Sequence, residues 1–325
     1  MAGVEAVDFI AAGDMQARLC PERLLLSLVA IGLIAIMPAA CASIQGQQRF
    51  ASPEEGMSAL VEAIRGNDQS ALMTLFDGSG QDWFASGDAA TDAQRRKAFL
   101  KAYAEANKIV LEEKNTRAVL VVGRNEWPMP IPLVQSNKGW RFDTQHAAEE
   151  ILSRHIGYNE LAAIQVCLAI VDAEREYAEQ DLDGDGVPEY ASKLVSSPDK
   201  HDGLYWETRE GEPLSPVGPL LAAAASEDAT SDRTTLEPYH GYFYRILVRQ
   251  GENATGGAYD YQVNGKLLGG FAVLAYPARY GESGVMSFIV NQDGVVYQKD
   301  LGQKTAALVA EITEFSPDTS WNRVP

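Results

Sequence analysis

The sequence predicts an α+β protein, on three observations. Helix-capping signals and apolar positions at helical spacing fill residues 52–103, and alternating strand patterns with hairpin turns follow over 109–143. One long helical stretch over 146–180 then leads into a second strand meander. Helices and antiparallel strands that come in separate runs, rather than in βαβ alternation, give this class.

Taken in order, Ser52-Pro53-Glu54-Glu55 joins an N-cap serine, a proline at the first helical position and a glutamate at the third. The helix it opens sets Met57, Leu60, Val61 and Ile64 on one face and stops near Gly66. Asp68 caps a second helix through Leu72, Leu75 and Phe76, and Thr91 with Gln94 reads as a capping box for a third through Phe99, Leu100 and Tyr103. Strands are expected over 109–113, 118–122, 131–134 and 140–143, with turns at Asn115 and at Asn137-Lys138-Gly139. The run Trp127-Pro128-Met129-Pro130-Ile131-Pro132 suits an edge or an entry into a strand, because proline has no N–H for a ladder.

The long helix carries Leu161, Ile164, Leu168 and Val171 as an apolar stripe, with Gly157 a candidate kink. Beyond it, residues 213–219 are rich in proline and glycine, a short alanine-rich helix reaches Ala225, and 226–235 read as a polar surface loop. Strands are then expected over 242–248, 259–263, 270–276, 285–290 and 295–298, with turns at Asn264-Gly265 and Asp293-Gly294 and a closing helix over 305–312. The expected division is a signal over 1–42, a tether over 43–50, an N-terminal α+β domain over 51–148 and a C-terminal domain over 149–325.

Composition bounds function. The 325 residues are 46% apolar and 22% charged, which is the balance of a folded chain. A formal charge of −18 argues against nucleic acid, since phosphate binding needs a net basic face, and against adhesion to anionic lipid. A signal or a lipid anchor is then the expected membrane connection. Residues 24–37 form an apolar run of signal-peptide length behind Arg18 and Arg23, with Met15 an alternative start. Two cleavage readings stand: Ala40-Cys41-Ala42 ending at Ser43, or Ala39-Ala40-Cys41 with Cys41 lipidated. Both send the chain out of the cytoplasm, to the periplasm or beyond. Cys167 is then the one cysteine in the mature fold, where no intrachain disulfide is possible and a buried apolar role is expected.

One motif points to specific chemistry. In Asp181-Leu182-Asp183-Gly184-Asp185-Gly186-Val187-Pro188-Glu189, carboxylates at alternate positions converge around a turn that Gly186 permits, the first half of an EF-hand loop. Asp181, Asp183 and Asp185 would offer side-chain oxygens, Val187 its carbonyl, and Glu189 a direct or water-mediated ligand. The twelfth position is Ser192 instead of a bidentate glutamate, so the cofactor expected is a weakly held structural calcium. Ordinary Asp/Gly turn chemistry is the alternative.

A second candidate is a polar cleft of His201, Asp202, Tyr205 and Trp206 with His240 and Tyr242, open to sugar or peptide if the two segments are neighbours. In the N-terminal domain Asp82, Trp83, Asp143 and His146 are candidates to line a cavity.

The segments FASPEEGMSALVEAIRGND, WPMPIPLV, GWRFDT, IGYNELAAIQVC, DLDGDGVPEYASK, DGLYW, YHGYFYRIL and GVMSFIVNQDGVVYQKDLG resemble, in this order, the bacterial family of domain of unknown function 2950, over about residues 49–321. That resemblance implies an exported bacterial protein of lipoprotein type and no activity. The first domain also resembles the cone-shaped domains of the nuclear transport factor 2 and ketosteroid isomerase superfamily. NELAAIQVCLAIVDAEREYA with FIVNQDGVVY is similar to the heads of type II secretion pseudopilins, where a long helix packs on an antiparallel sheet and some members bind calcium. Polar residues 145–154 precede that segment where a pilin would carry its apolar anchor, so polymerisation is not expected. The function expected is a non-enzymatic envelope binding module, its partner an envelope protein or ligand, with an envelope hydrolase or isomerase as the alternative.

Overall fold

The structure, a computed structural model, describes residues 47–78, 83, 89–181, 186–208, 211, 213–226 and 236–325. The expected signal, Cys41 and the first part of the tether lie outside the described residues. It is an α+β protein with two compact units, divided between Ser153 and Arg154.

In the first unit, α1 (Pro53–Gly66) starts as its cap demands: the Ser52 hydroxyl accepts the Glu55 N–H at 3.2 Å. The glutamate reaches back one residue further than a capping box requires, accepting the Ala51 N–H at 2.9 Å. Asp68 caps α2 (Gln69–Leu75) through the Ala71 N–H. The third helix, α3 (Ala89–Glu105), begins two residues before Thr91, so Thr91 lies inside the helix and not at its cap.

The sheet consists of β1 (Asn107–Glu112), β2 (Arg117–Val122), β3 (Trp127–Pro128), β4 (Leu133–Ser136) and β5 (Gly139–Phe142). All pairings are antiparallel, in the order β1-β2-β4-β5 with β3 beside β2. The turn marked by Asn115 takes three consecutive left-handed residues, Glu113, Lys114 and Asn115. Ala118, Leu120 and Val122 point one way from β2, into a core with Leu60, Ile64, Phe76, Phe99 and Phe142. Residues 47–50 are docked, in contrast to the expected tether. Gln47 donates to the Leu75 and Phe142 carbonyls, and Phe50 exchanges two 2.9 Å backbone bonds with Trp140.

The helix α4 (Thr144–Ala178) runs uninterrupted through Gly157. After it come α5 (Pro219–Ala223), β6 (Tyr242–Leu247), β7 (Arg249–Gln250), β8 (Tyr259–Asp260), β9 (Gln262–Val263), β10 (Lys266–Leu267), β11 (Ala272–Pro277), β12 (Met286–Asn291), β13 (Tyr297–Asp300), α6 (Thr305–Glu311) and β14 (Asn322–Arg323). The second unit's main sheet has the order β14-β13-β12-β11-β6, antiparallel throughout. Strand β11 and the terminal strand β6 are buried along their whole length, with both faces covered. On one face Tyr242 and Tyr244 approach Cys167 of α4. From the opposite face Arg245 reaches α6.

The expected strand over 259–263 is instead two short pieces with different partners, β8 on β7 and β9 on β10. Tyr261 is the reason. It is fully buried between them, donates its N–H to the Val248 carbonyl and its hydroxyl to Gln250, and accepts from Leu268 and Gly269. The loop residues 227–235 lie outside the described residues. Ser226 before them is buried, with its hydroxyl accepting from Tyr276 at 2.8 Å.

Candidate functional site

The acidic loop leaves the end of α4. Asp181 is exposed, and its carboxylate accepts the N–H of Gly186 at 2.8 Å. Gly186 stands at φ +86°, a left-handed conformation that favours glycine. That bond folds the first expected ligand position onto the sixth. Asp183 and Asp185 lie outside the described residues. Val187 is exposed, and Glu189 is turned away toward β10, with its two oxygens 3.3 Å from Lys266 Nζ and from the Leu267 N–H. Tyr190 then bonds the Leu267 carbonyl at 3.0 Å, and the Ala191 N–H donates to Glu174 of α4 at 2.8 Å. Three consecutive residues at the loop exit are therefore tied down. Among the described residues no group of three or more His, Cys, Asp or Glu side chains is assembled for a metal.

The first half of the expected cleft is a compact knot over 193–206. Val195 and Tyr205 bridge in parallel, and a Cβ at Gly203 would lie 2.7 Å from the Ser196 nitrogen, so only glycine admits the approach. Asp202 accepts the Ser197 N–H at 2.7 Å and pairs with Lys193 at 3.0 Å. Burial works against its ionisation, yet the Ser197 and Lys193 bonds prevail and hold its carboxyl below the usual value. His201 stacks on Trp206 at 4.5 Å, the Trp206 indole donates to the Pro213 carbonyl, and the His201 carbonyl accepts the Tyr177 hydroxyl at 2.5 Å.

The second half is elsewhere. His240 occupies a tight turn between Tyr239 and Tyr242, with its ring against Tyr239 at 4.3 Å and Tyr158 at 6.2 Å. Partial burial lowers its pKa. Tyr242 is fully buried, donates to the Met286 carbonyl at 2.9 Å, and has its pKa raised first by that burial. His201 is thus tied at Tyr177 and His240 at Tyr158. Nineteen helical residues separate those tyrosines on α4, about 28 Å at 1.5 Å per residue. The six residues expected in one cleft form two groups, one against the middle of α4 and one against its C-terminal end.

In the first unit, Asp143 is the N-cap of α4: its carboxylate accepts the His146 N–H at 3.3 Å and its carbonyl the Ala147 N–H. Trp83 packs on Phe76 at 5.5 Å, and Asp82 lies outside the described residues. Cys167 is completely buried, which pushes its thiol up to about 12 and leaves it inert at neutral pH.

Sequence reasoning missed three polar residues of α4. Asn159 is buried and donates to the Ser283 carbonyl, and Glu160 accepts from the Val285 and Met286 N–H groups, each at 2.9 Å. Glu174 falls three residues after Val171 and three before Tyr177, on the buried stripe, and a carboxylate there was a readable signal. Also missed was a depression of about 290 Å³ beside α6, lined by Leu301, Leu308, Ile312 and Trp321 together with Asp300 and Glu311, with Lys299 lying 5.7 Å over the indole ring.

A family model described as protein of unknown function (DUF2950) matches residues 47–324. The chain belongs to that family. The match spans both units, from the docked Gln47 to the residue before last. Nothing matches among curated proteins, and nothing among solved structures. The finer likenesses to nuclear transport factor 2 cones and pseudopilin heads therefore have no support from a solved structure.

Proposed function

We propose that this DUF2950 member is an exported cell-envelope interaction module without catalytic activity, its second unit closed by a calcium loop. The observation that carries this reading is the seating of His201 against Tyr177 and of His240 against Tyr158, two tyrosines about 28 Å apart along α4. A hydrolase or isomerase in this chain would need those groups within hydrogen-bond reach of one substrate. Each has a structural task instead: His201 covers Trp206, His240 makes a hairpin turn, and Asp202 and Tyr242 hold backbone. The open depression around Trp321 joins an aromatic and aliphatic floor to the charged Lys299, Asp300 and Glu311, a mixed surface that a binding module can present.

The calcium loop is a clip in this reading. Asp181 draws the loop closed through Gly186, Asp183 and Asp185 supply the remaining carboxylates, and Glu189 anchors the exit to β10 instead of ligating directly. The loop has hard oxygen donors, as calcium prefers, but lacks the bidentate twelfth ligand, so affinity is low. At about 1 mM calcium, a site with Kd near ~0.1 mM adds about 1.4 kcal/mol. Thermal melting of the full chain with calcium and with chelator, beside Asp183→Ala, tests it. A rise of about 2–4 °C in wild type and none in the variant is expected. Equal melting of wild type in both solutions would remove the clip.

A further inference from the structure

Among the described residues, the first unit's sheet has one edge covered and one open. At β5 the outer edge is taken by Phe50, which bonds Trp140 twice. At the other end stands β1, and among the described residues nothing pairs with its outer side. An extended edge offers alternate N–H and C=O groups as a template for another strand. Here it also exposes Leu111, 47% accessible on the helix-bearing side.

We propose that β1 is a self-association edge, pairing antiparallel with β1 of a second copy about a two-fold axis at Val110. The occupant follows from the strand's own sequence, Asn-Lys-Ile-Val-Leu-Glu. With Val110 opposite itself, Lys108 faces Glu112 of the second copy, and the reverse pair repeats across the axis. Ile109 falls opposite Leu111 and covers it. Of the antiparallel alignments open to this strand, only this one sets each lysine against a glutamate. Unlike charges directly opposite stabilise a strand pair and like charges oppose it.

The charges flanking the edge extend the match. Lys108 is paired at 2.6 Å with Glu126, and Glu112 is paired with Arg117, and both Lys108 and Glu112 keep about half their side chains exposed. Joining two copies gives the run Glu126, Lys108, Glu112, Arg117, alternating in sign across the junction and repeated by symmetry. An edge guarded only against aggregation needs charge of any arrangement. A self-complementary arrangement specifies one partner, the same patch on another copy, and closes after two.

Sedimentation equilibrium of the full chain over a wide concentration series tests this, with far-UV circular dichroism and melting confirming that each variant is folded. A monomer–dimer equilibrium is expected for wild type. Lys108→Glu should weaken it by about tenfold or more, because like charges then meet twice. Lys108→Glu with Glu112→Lys should restore it. A single monomeric mass for wild type overturns the proposal, as does undiminished association of Lys108→Glu. Loss in the single variant without recovery in the double one overturns the Val110 alignment.

Discussion

Glu174 is a carboxyl group with no exposed surface, set among Ile170, Val171 and Tyr177. One oxygen accepts the Ala191 N–H, and the other has no hydrogen-bond partner among the described residues. Burial raises its pKa well above the ordinary carboxylate value, and the Ala191 bond only partly opposes that. Because the folded-state pKa lies above the unfolded one, the native chain holds a proton that the unfolded chain releases. Its stabilising contribution is therefore complete below the usual glutamate range, near ~4.3, and is lost as pH rises through the folded value. Glu174→Gln keeps an oxygen for Ala191 and cannot ionise. It should match wild type near pH 4 and melt a few degrees higher at pH 8, by differential scanning calorimetry. A variant less stable at both pH values would show that the buried group is needed as a carboxylate. Nothing in residue composition marks such a group. Only its place on the 3.6-residue stripe between Val171 and Tyr177 does.

Among elements, those governed by neighbours in sequence were legible and those governed by distant groups were not. The Ser52 and Asp68 caps act within three residues, so α1 and α2 begin where their sequences say. Thr91 has the same local grammar, but α3 already starts at Ala89. The alternation over 259–263 looked like one strand, and the chain breaks there because the Tyr261 hydroxyl and backbone find partners in two other segments, 248–250 and 268–269. Strand β13 starts at Tyr297, two residues later than expected, since the turn closed by the Gly294 N–H on the Asn291 carbonyl leaves Val296 to bond Val324 instead. Of the candidate site, the left-handed turn at Gly186 was legible, whereas the Asp181 bond across it and the seating of His201 and His240 against separate stretches of α4 were not. Helix α6 illustrates long-range control most directly. It has no side-chain cap at its start, and the buried Arg245 guanidinium donates to the Val309 and Ile312 carbonyls at 2.6 and 2.7 Å. A cation at a helix C-terminus also suits the helix dipole. Arg245→Met keeps the apolar stem but leaves those carbonyls unmet. It should cost about 2–4 kcal/mol in urea unfolding, whereas Arg249→Met on the exposed β7 should cost under ~0.5 kcal/mol.

For the whole molecule, the charge of −18 and the two compact units govern behaviour together. Screening by monovalent salt relieves self-repulsion everywhere, whereas a calcium clip acts on one unit. Calorimetry in about 0.5 M NaCl should raise every transition modestly. Calcium at matched ionic strength should raise only the transition of the second unit, and a calcium effect on both would point to general charge neutralisation. The double burial of β6 and β11 has a consequence of its own. A strand with one wet face is held in alignment by solvent, because sliding it one residue would bring polar side chains inside. Tyr242–Leu247 and Ala272–Pro277 have no wet face, so apolar burial tolerates a slip. The alignment must be chosen by a few polar groups that find partners in a single arrangement: Tyr242 on Met286, Arg245 on α6, Tyr276 on Ser226. These groups serve as proofreaders of folding, and their loss would show first as slipped, slowly refolding chains and only afterwards as a lower melting point.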